Sequence, residues 1–338
     1  MTFADVVGHD DAAHRLRRAA AEDRTAGAYL LWGPVGIGKR TLANAFAAHL
    51  LCATRGAEDA CATCAQCIRV AAGTHPDLHI VQRDEDRRDI RIDQARALTR
   101  WLGLRPLMAQ RKVAIIDGAD CLNEHGQNAL LKTLEEPPGA AVLVLVATHV
   151  SLLLPTVRSR CQRIRLASLP LDAVRRFLRA RGLPEARIEL LAARAEGSPG
   201  RALALADDTS AELRATILER LAHLPESAAA ELSTLAQAVA RGPMEAALDT
   251  MVAWYRDVLE LALLDHPRLR NPDSANAARA VATRLSPADI LRQLEAVYDT
   301  IGAIGRNANR VLALETMLLA LRRIERGPGA DSAWTSIS

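Results

Sequence analysis

The segment Gly33-Pro-Val-Gly36-Ile-Gly38-Lys39-Arg40-Thr41 constrains this chain more than any other stretch. It follows the apolar run Tyr29 to Trp32 and opens a helical pattern over Leu42 to Leu51, the strand-loop-helix setting of a phosphate-binding loop. Glycines let backbone N–H groups turn toward phosphate oxygens, the helix start adds the positive end of its dipole, and Lys39 can reach terminal phosphates. The next position normally carries a Ser or Thr hydroxyl for a magnesium ion. Here it is Arg40, whose side chain has only donors and cannot ligate a cation.

A second departure falls in the other half of the same site. Lys112-Val-Ala-Ile-Ile-Asp117-Gly118-Ala-Asp120 reads as a buried parallel strand ending in an acid, the place of a metal-orienting Asp. Asp117 is in place, but the following position, where an ATPase keeps a Glu to polarise water, is Gly118 and offers no base. The expectation is ATP or ADP binding at most, without turnover. An active ATPase would need Thr41 to supply the metal hydroxyl and Asp120 the catalytic acid, each displaced along the chain.

Short apolar runs alternate with helical patterns as far as about residue 166: Tyr29 to Trp32, Leu78 to Val81, Val113 to Ile116, Val142 to Ala147 and Arg163 to Leu166. Five such strands with helices between them imply an α/β fold, a parallel sheet covered on both faces, with ligands at the carboxyl ends of the strands. Beyond Leu166 the pattern is helical. Short segments, Leu171 to Arg181, Ala186 to Ala195 and Gly200 to Ala206, come first, and longer amphipathic ones follow: Ala211 to Leu224, Met244 to Asp265, Pro287 to Ile304 and Asn307 to Arg326. The run Arg83 to Asp89 mixes acids and bases with no apolar face and is read as a solvated loop, and the tail 327–338 as disordered.

Charge and cysteine usage narrow the class. The 43 basic and 40 acidic residues are well mixed and the net charge is only +3, so any DNA contact must be local. Aromatics at 3% are too few for a base-stacking platform. No apolar stretch of about twenty residues appears and the N-terminus lacks the order of a secretion signal, so a cytoplasmic protein with no membrane contact is expected. Cys52 and the overlapping pair of C-x-x-C steps Cys61-Ala-Thr-Cys64-Ala-Gln-Cys67 suit four thiolates around one structural Zn2+; small buried thiols and a redox pair are the alternatives. Four protein ligands leave no open position for catalysis. A nucleic-acid-binding zinc module is disfavoured by the small net charge and by the absence of aromatics between Cys52 and Cys67.

Gly73-Thr-His-Pro-Asp77, Asn128-Ala-Leu-Leu-Lys-Thr-Leu-Glu-Glu-Pro-Pro138 and Pro155-Thr-Val-Arg-Ser-Arg-Cys161, together with the cysteine cluster, resemble the bacterial clamp-loader AAA+ subunits over nearly the whole chain. The resemblance implies an α/β AAA+ module of P-loop type over 1–166 with a zinc knuckle at 52–67. A three-helix lid over 167–208 and an all-α collar over 209–326 would follow. It further implies a place at the end of an open five-membered ring, beside gamma or tau and delta subunits, that opens a sliding clamp and loads it on primed DNA. In that place Arg160 of Ser159-Arg160-Cys161 would act as an arginine finger on ATP held by a gamma or tau neighbour, with Ser159 and Cys161 fixing the loop. Thr148 takes the sensor position, which a strand-end cap would equally explain. In Gly197-Ser-Pro-Gly200-Arg201 a glycine stands where active relatives carry a sensor arginine. Lys132 is either a DNA-phosphate contact or part of a solvated helix face, and Arg306 to Glu315 resembles the collar helix that meets adjacent subunits. The rival within the same assembly is the active gamma or tau motor.

Overall fold

The computed structural model describes residues 2–56, 59–83, 89–207, 211–306 and 308–327. The chain divides into two compact units, one running to Arg181 and including Gly197–Arg201, the other made of Gly182–Glu196 and the residues from Ala202 onward.

The first unit is built on one parallel sheet. Strands β1 (Ala28–Trp32), β2 (Leu78–Gln82), β3 (Val113–Asp117), β4 (Val142–Ala147) and β5 (Gln162–Arg165) lie in the order β2-β3-β4-β1-β5. All six residues of β4, Val-Leu-Val-Leu-Val-Ala, are buried, because helices cover both faces and no polar alternation is needed. Successive side chains point to opposite faces, so one strand serves two cores. Tyr29, Leu31, Ile115, Val144 and Val146 meet Leu16 of α1 (Asp10–Ala21) and Leu42, Phe46 and Leu50 of α2 (Lys39–Leu51). The same core takes in Cys67 and Val70 of α3 (Ala65–Ala71). Leu30, Ile116, Leu143 and Leu145 meet Leu98 and Leu102 of α4 (Ile92–Leu102) and Leu130 and Leu134 of α5 (Glu124–Glu135). Each fully buried Leu or Phe is worth about 1.5 to 3 kcal/mol of transfer free energy. The register sets Trp32 beside Ala147 and Asp117 beside Val146, so the loop after β1, Asp117 and Thr148 meet at the carboxyl edge.

Two further helices complete this unit, α6 (Pro155–Ser159), which starts on a proline, and α7 (Leu171–Ala180). β5 begins one residue earlier than the sequence suggests, although the Leu166 N–H still reaches the Trp32 carbonyl at 2.8 Å. The turn His75-Pro76-Asp77 before β2 is structural. Asp77 is fully buried, and its carboxylate accepts the backbone N–H groups of Leu107, Met108 and Ala109 at 2.7, 2.7 and 2.8 Å. Burial pushes this carboxyl up, but the three N–H donors outweigh it and hold its pKa below the ordinary value. Its stabilisation is therefore present above the unfolded-state pKa near 4 and is lost as pH falls through the lower folded value. Asp77→Ala strands three buried donors and is expected to cost about 3 kcal/mol in urea denaturation at pH 7, with the deficit shrinking below about pH 4.

The second unit is helical: α8 (Glu185–Arg194), α9 (Pro199–Asp207, which begins in the first unit), α10 (Ala211–Ala222), α11 (Ala229–Arg241), α12 (Met244–Leu263), α13 (Ala275–Arg284), α14 (Pro287–Gly305) and α15 (Arg310–Arg326). Trp254, Tyr255, Leu232, Val297 and Leu318 are buried in its core. Its helix starts are written in the sequence: Ser286 accepts from the Asp289 N–H ahead of Pro287, and Asn309 accepts from the Leu312 N–H. The second cap sets the start of α15 at Arg310 rather than at residue 307. Two expectations fall largely outside the described residues, the tail over 328–338 and the centre of the charged loop at 84–88. No helix among the described residues is long and apolar enough to cross a membrane.

Candidate functional site

The phosphate loop leaves β1 at Gly33 and enters α2 through Gly38, the N-cap. Lys39 is 8% exposed and spends all three ammonium donors locally: on the Gly33 carbonyl at 2.8 Å, the Pro34 carbonyl at 2.6 Å and Thr148 Oγ at 3.3 Å. Burial lowers its pKa, with the carboxylates of Asp120 and Asp117 pulling the other way. A phosphate oxygen would therefore have to displace one of these acceptors.

The structure brings Arg40 onto Asp117. Nη1 of Arg40 lies 3.1 Å from Asp117 Oδ2 and 2.9 Å from Gln82 Oε1. The chain's own guanidinium thus occupies the carboxylate that a magnesium ion would use, and the residues present do not fit that ion. Thr41 sits one residue further along α2, about 100° around the helix from position 40. Asp120 is committed as well: its Oδ2 accepts the N–H groups of Thr148 at 3.0 Å and His149 at 2.7 Å. It pins the end of β4 through that oxygen. Gly118 adopts φ +83°, a left-handed conformation that a Glu would enter only with strain, so the missing base is built into the backbone.

Gly36, at φ +71°, lies against the segment Gly197–Arg201 of the same unit. The Gly200 N–H donates to the Gly36 carbonyl at 2.8 Å, and Ser198 Oγ donates to the Val35 carbonyl at 2.9 Å. A Cβ on Gly200 would meet Gly36 O at 2.8 Å and Gly36 Cα at 2.9 Å. With the backbones this close, no arginine side chain can leave position 200. Arg40→Ser is expected to free Asp117 and make nucleotide binding magnesium-dependent while turnover stays absent, as titration with a fluorescent ADP in Mg2+ and in EDTA would read.

Arg160 lies elsewhere on this unit, as the C-cap of α6. Its Nε donates to Glu135 Oε1 at 2.6 Å, Nη2 pairs with the same oxygen, and Nη1 donates to the Thr156 carbonyl at 2.9 Å. About a third of the side chain is exposed. Ser159 Oγ donates to the Thr156 carbonyl at 3.1 Å. Cys161 is buried, which pushes its thiol up to about 12, so it packs and does not react. Buried Gln127 holds the preceding loop by donating to the Leu122 and Leu152 carbonyls and accepting from the Leu154 N–H. Glu135 was not singled out from sequence as a partner of Arg160. The available signal was an acid as the last residue of a helix, where the dipole disfavours it.

The cysteines converge as their spacing suggests. Cys52 follows α2, Cys64 caps α3, and the four sulfurs of Cys52, Cys61, Cys64 and Cys67 lie within 4.8 Å of one another, close enough to hold a metal ion. The Cys61 N–H points at Cys52 Sγ, the Cys64 N–H at Cys61 Sγ and the Cys67 N–H at Cys64 Sγ, at 3.3 to 3.5 Å. Such N–H···S contacts favour thiolate over thiol, and the Cys61 pKa falls to about 5, led by a hydrogen bond with the Thr54 side chain. Cys121 and Cys161 lie outside the cluster.

A family model described as DNA polymerase III, delta subunit, matches residues 8–170. DNA polymerase III subunit delta′ of Pseudomonas aeruginosa is 35% identical over 308 residues, 89% of this chain and 93% of that one. Subunit delta′ of Escherichia coli is 30% identical over 306 residues, 88% of each chain. DNA polymerase III subunit tau of Escherichia coli is 35% identical over 217 residues, 62% of this chain and 33% of that one.

Proposed function

The chain belongs to the family of DNA polymerase III delta′ subunits, and from that premise we propose that it serves a clamp loader as a non-hydrolysing subunit that lends Arg160 to a neighbour's ATP. The observation that carries this reading is an asymmetry within one module. Its own metal carboxylate is taken by Arg40 and its base position is a left-handed glycine, whereas Arg160 stays partly exposed at the end of a short helix. A permanently charged, planar guanidinium suits the equatorial oxygens of a transferring phosphoryl group. The neighbour is a gamma or tau subunit; delta, the sliding clamp and primed DNA complete the assembly. In this reading 1–166 is the ATPase-like module, 167–208 its lid and 209–326 the collar. The motor reading has less support, since Asp120 is engaged by two backbone N–H groups and the match to tau spans a third of that protein.

Zinc is the ion we assign to the cysteines. Zn–S bonds of about 2.3 Å in a tetrahedron set sulfurs about 3.8 Å apart. The pairs Cys52–Cys61, Cys52–Cys64 and Cys61–Cys67 stand at 3.6, 3.9 and 3.9 Å, which supports a closed structural site.

Omission and add-back test the functional reading. A loader assembled without this chain is expected to lose DNA-stimulated ATPase and clamp loading, and to regain both when the chain is added. Loading at full rate in its absence would overturn the proposal.

A further inference from the structure

Arg160 does not hang free in solvent. A guanidinium has five N–H donors. Glu135 takes those of Nε and one on Nη2, and the Thr156 carbonyl takes one on Nη1, which leaves one on each terminal nitrogen for another acceptor. The two acceptors stand on different helices, so the side chain is held from two directions.

The helix that carries Glu135 is anchored in the core. Leu130 and Leu134 of the same helix are 1% and 4% exposed, and the helix stops at Glu135 because Pro137 and Pro138 follow. Two acids at a helix C-terminus, Glu135 and Glu136, work against the dipole, so helix stability does not account for Glu135. An exposed ion pair of ordinary kind would add little either. The contact has a different use. A long side chain that must be immobilised to reach a phosphate loses rotamer freedom on docking, and a brace removes that cost in advance.

We propose that Glu135 is the positioning residue for Arg160, fixing the guanidinium so that its two remaining N–H groups face the neighbour's phosphates. This rests on the reading of Arg160 as the donated cation. Glu135 touches no phosphate itself; it acts through the arginine. A misplacement of about 1 Å can cost about a hundredfold in rate.

The experiment uses the full loader reconstituted with Glu135→Ala, Glu135→Gln, Glu135→Asp, Arg160→Ala and the double variant Glu135→Ala/Arg160→Ala. Assembly is followed by gel filtration and turnover at the adjoining site by single-turnover kinetics. Glu135→Ala is expected to lower kcat by about ten- to a hundredfold with KM for ATP unchanged. Glu135→Gln keeps an oxygen in place to accept both N–H groups and is expected to recover most of the rate. Glu135→Asp, one methylene short, is not. The double variant is expected to be no slower than Arg160→Ala, because the two residues act as one unit. If the alanine variant fails to assemble, the Asp and Gln variants carry the same comparison. Arg160→Ala without effect overturns the donated-cation reading and this inference with it. A slow Arg160→Ala beside a Glu135→Ala that is unchanged or faster overturns the positioning role alone.

Discussion

Replacing Arg160 by alanine in a reconstituted loader is expected to slow ATP cleavage at the neighbouring site by about 10³-fold or more, the range over which donated arginines act on phosphoryl transfer. At about 1.36 kcal/mol per decade, 10³ to 10⁵ corresponds to about 4 to 7 kcal/mol of transition-state stabilisation crossing a subunit boundary. The loss falls on one site only. Sites served by other subunits keep their own arginines, so bulk turnover drops by one site's share while a slow phase emerges in single-turnover traces. Arg160→Lys is expected to recover little, because an ammonium is a point charge without the planar fork that Arg160 already uses to span Glu135 and the Thr156 carbonyl. The variant should assemble normally: the guanidinium is partly exposed, and buried Cys161 beside it and buried Gln127, which holds the loop before α6, are untouched. A defect in assembly would point to a structural role for Arg160.

Removing the zinc we assign to the cysteines is expected to have the second large effect. Cys52 closes α2 and Cys67 lies in α3, and both belong to the core on one face of the sheet. An ion held there would tie this segment to the sheet's core. Structural zinc contributes about 10 to 16 kcal/mol in isolated fingers, and only part of that reaches the global unfolding of a larger unit. If about 4 kcal/mol does, stripping the ion or making Cys64→Ser lowers Tm by about 10 °C. Native mass spectrometry is expected to give one zinc per chain before treatment and none after. Cys161→Ser serves as the control and is expected to keep its zinc, since Cys161 stands outside the cluster. Unchanged Tm with zinc gone would assign the cysteines to packing.

The strands were legible because Val-Ala-Ile-Ile and Val-Leu-Val-Leu-Val are β-branched or bulky runs with charged or turn residues at their ends, and burial on both faces leaves such runs uninterrupted. The convergence of the four cysteines was legible for a local reason also, since two overlapping C-x-x-C steps nearly fix the geometry by themselves. The helical unit was legible in part. α11 and α13 were not singled out, although Leu232, Leu235, Ala236 and Val239 of α11 stand at i, i+3, i+4 and i+7, the spacing of a buried helix face.

The phosphate-loop site was legible in its residues but not in its contacts. Arg40 could be read as a lost hydroxyl; that it lands on Asp117, 77 positions away, depends on the sheet register. Asp120 looked like a spare acid, and only tertiary structure hands its oxygen to the Thr148 and His149 N–H groups. Gly200 looked like the loss of a sensor arginine, whereas the loop backbone at Gly36 approaches so closely that no Cβ fits there. Each pairing joins segments far apart in sequence, and no local propensity encodes it.

Steady-state ATPase of the isolated chain in saturating Mg·ATP, measured beside the same chain added to a loader that lacks it, tests the central claim most directly. The prediction is no turnover above background alone, and DNA-stimulated turnover in the assembly that requires Arg160. Brisk hydrolysis by the isolated chain, abolished by Lys39→Ala, would contradict it.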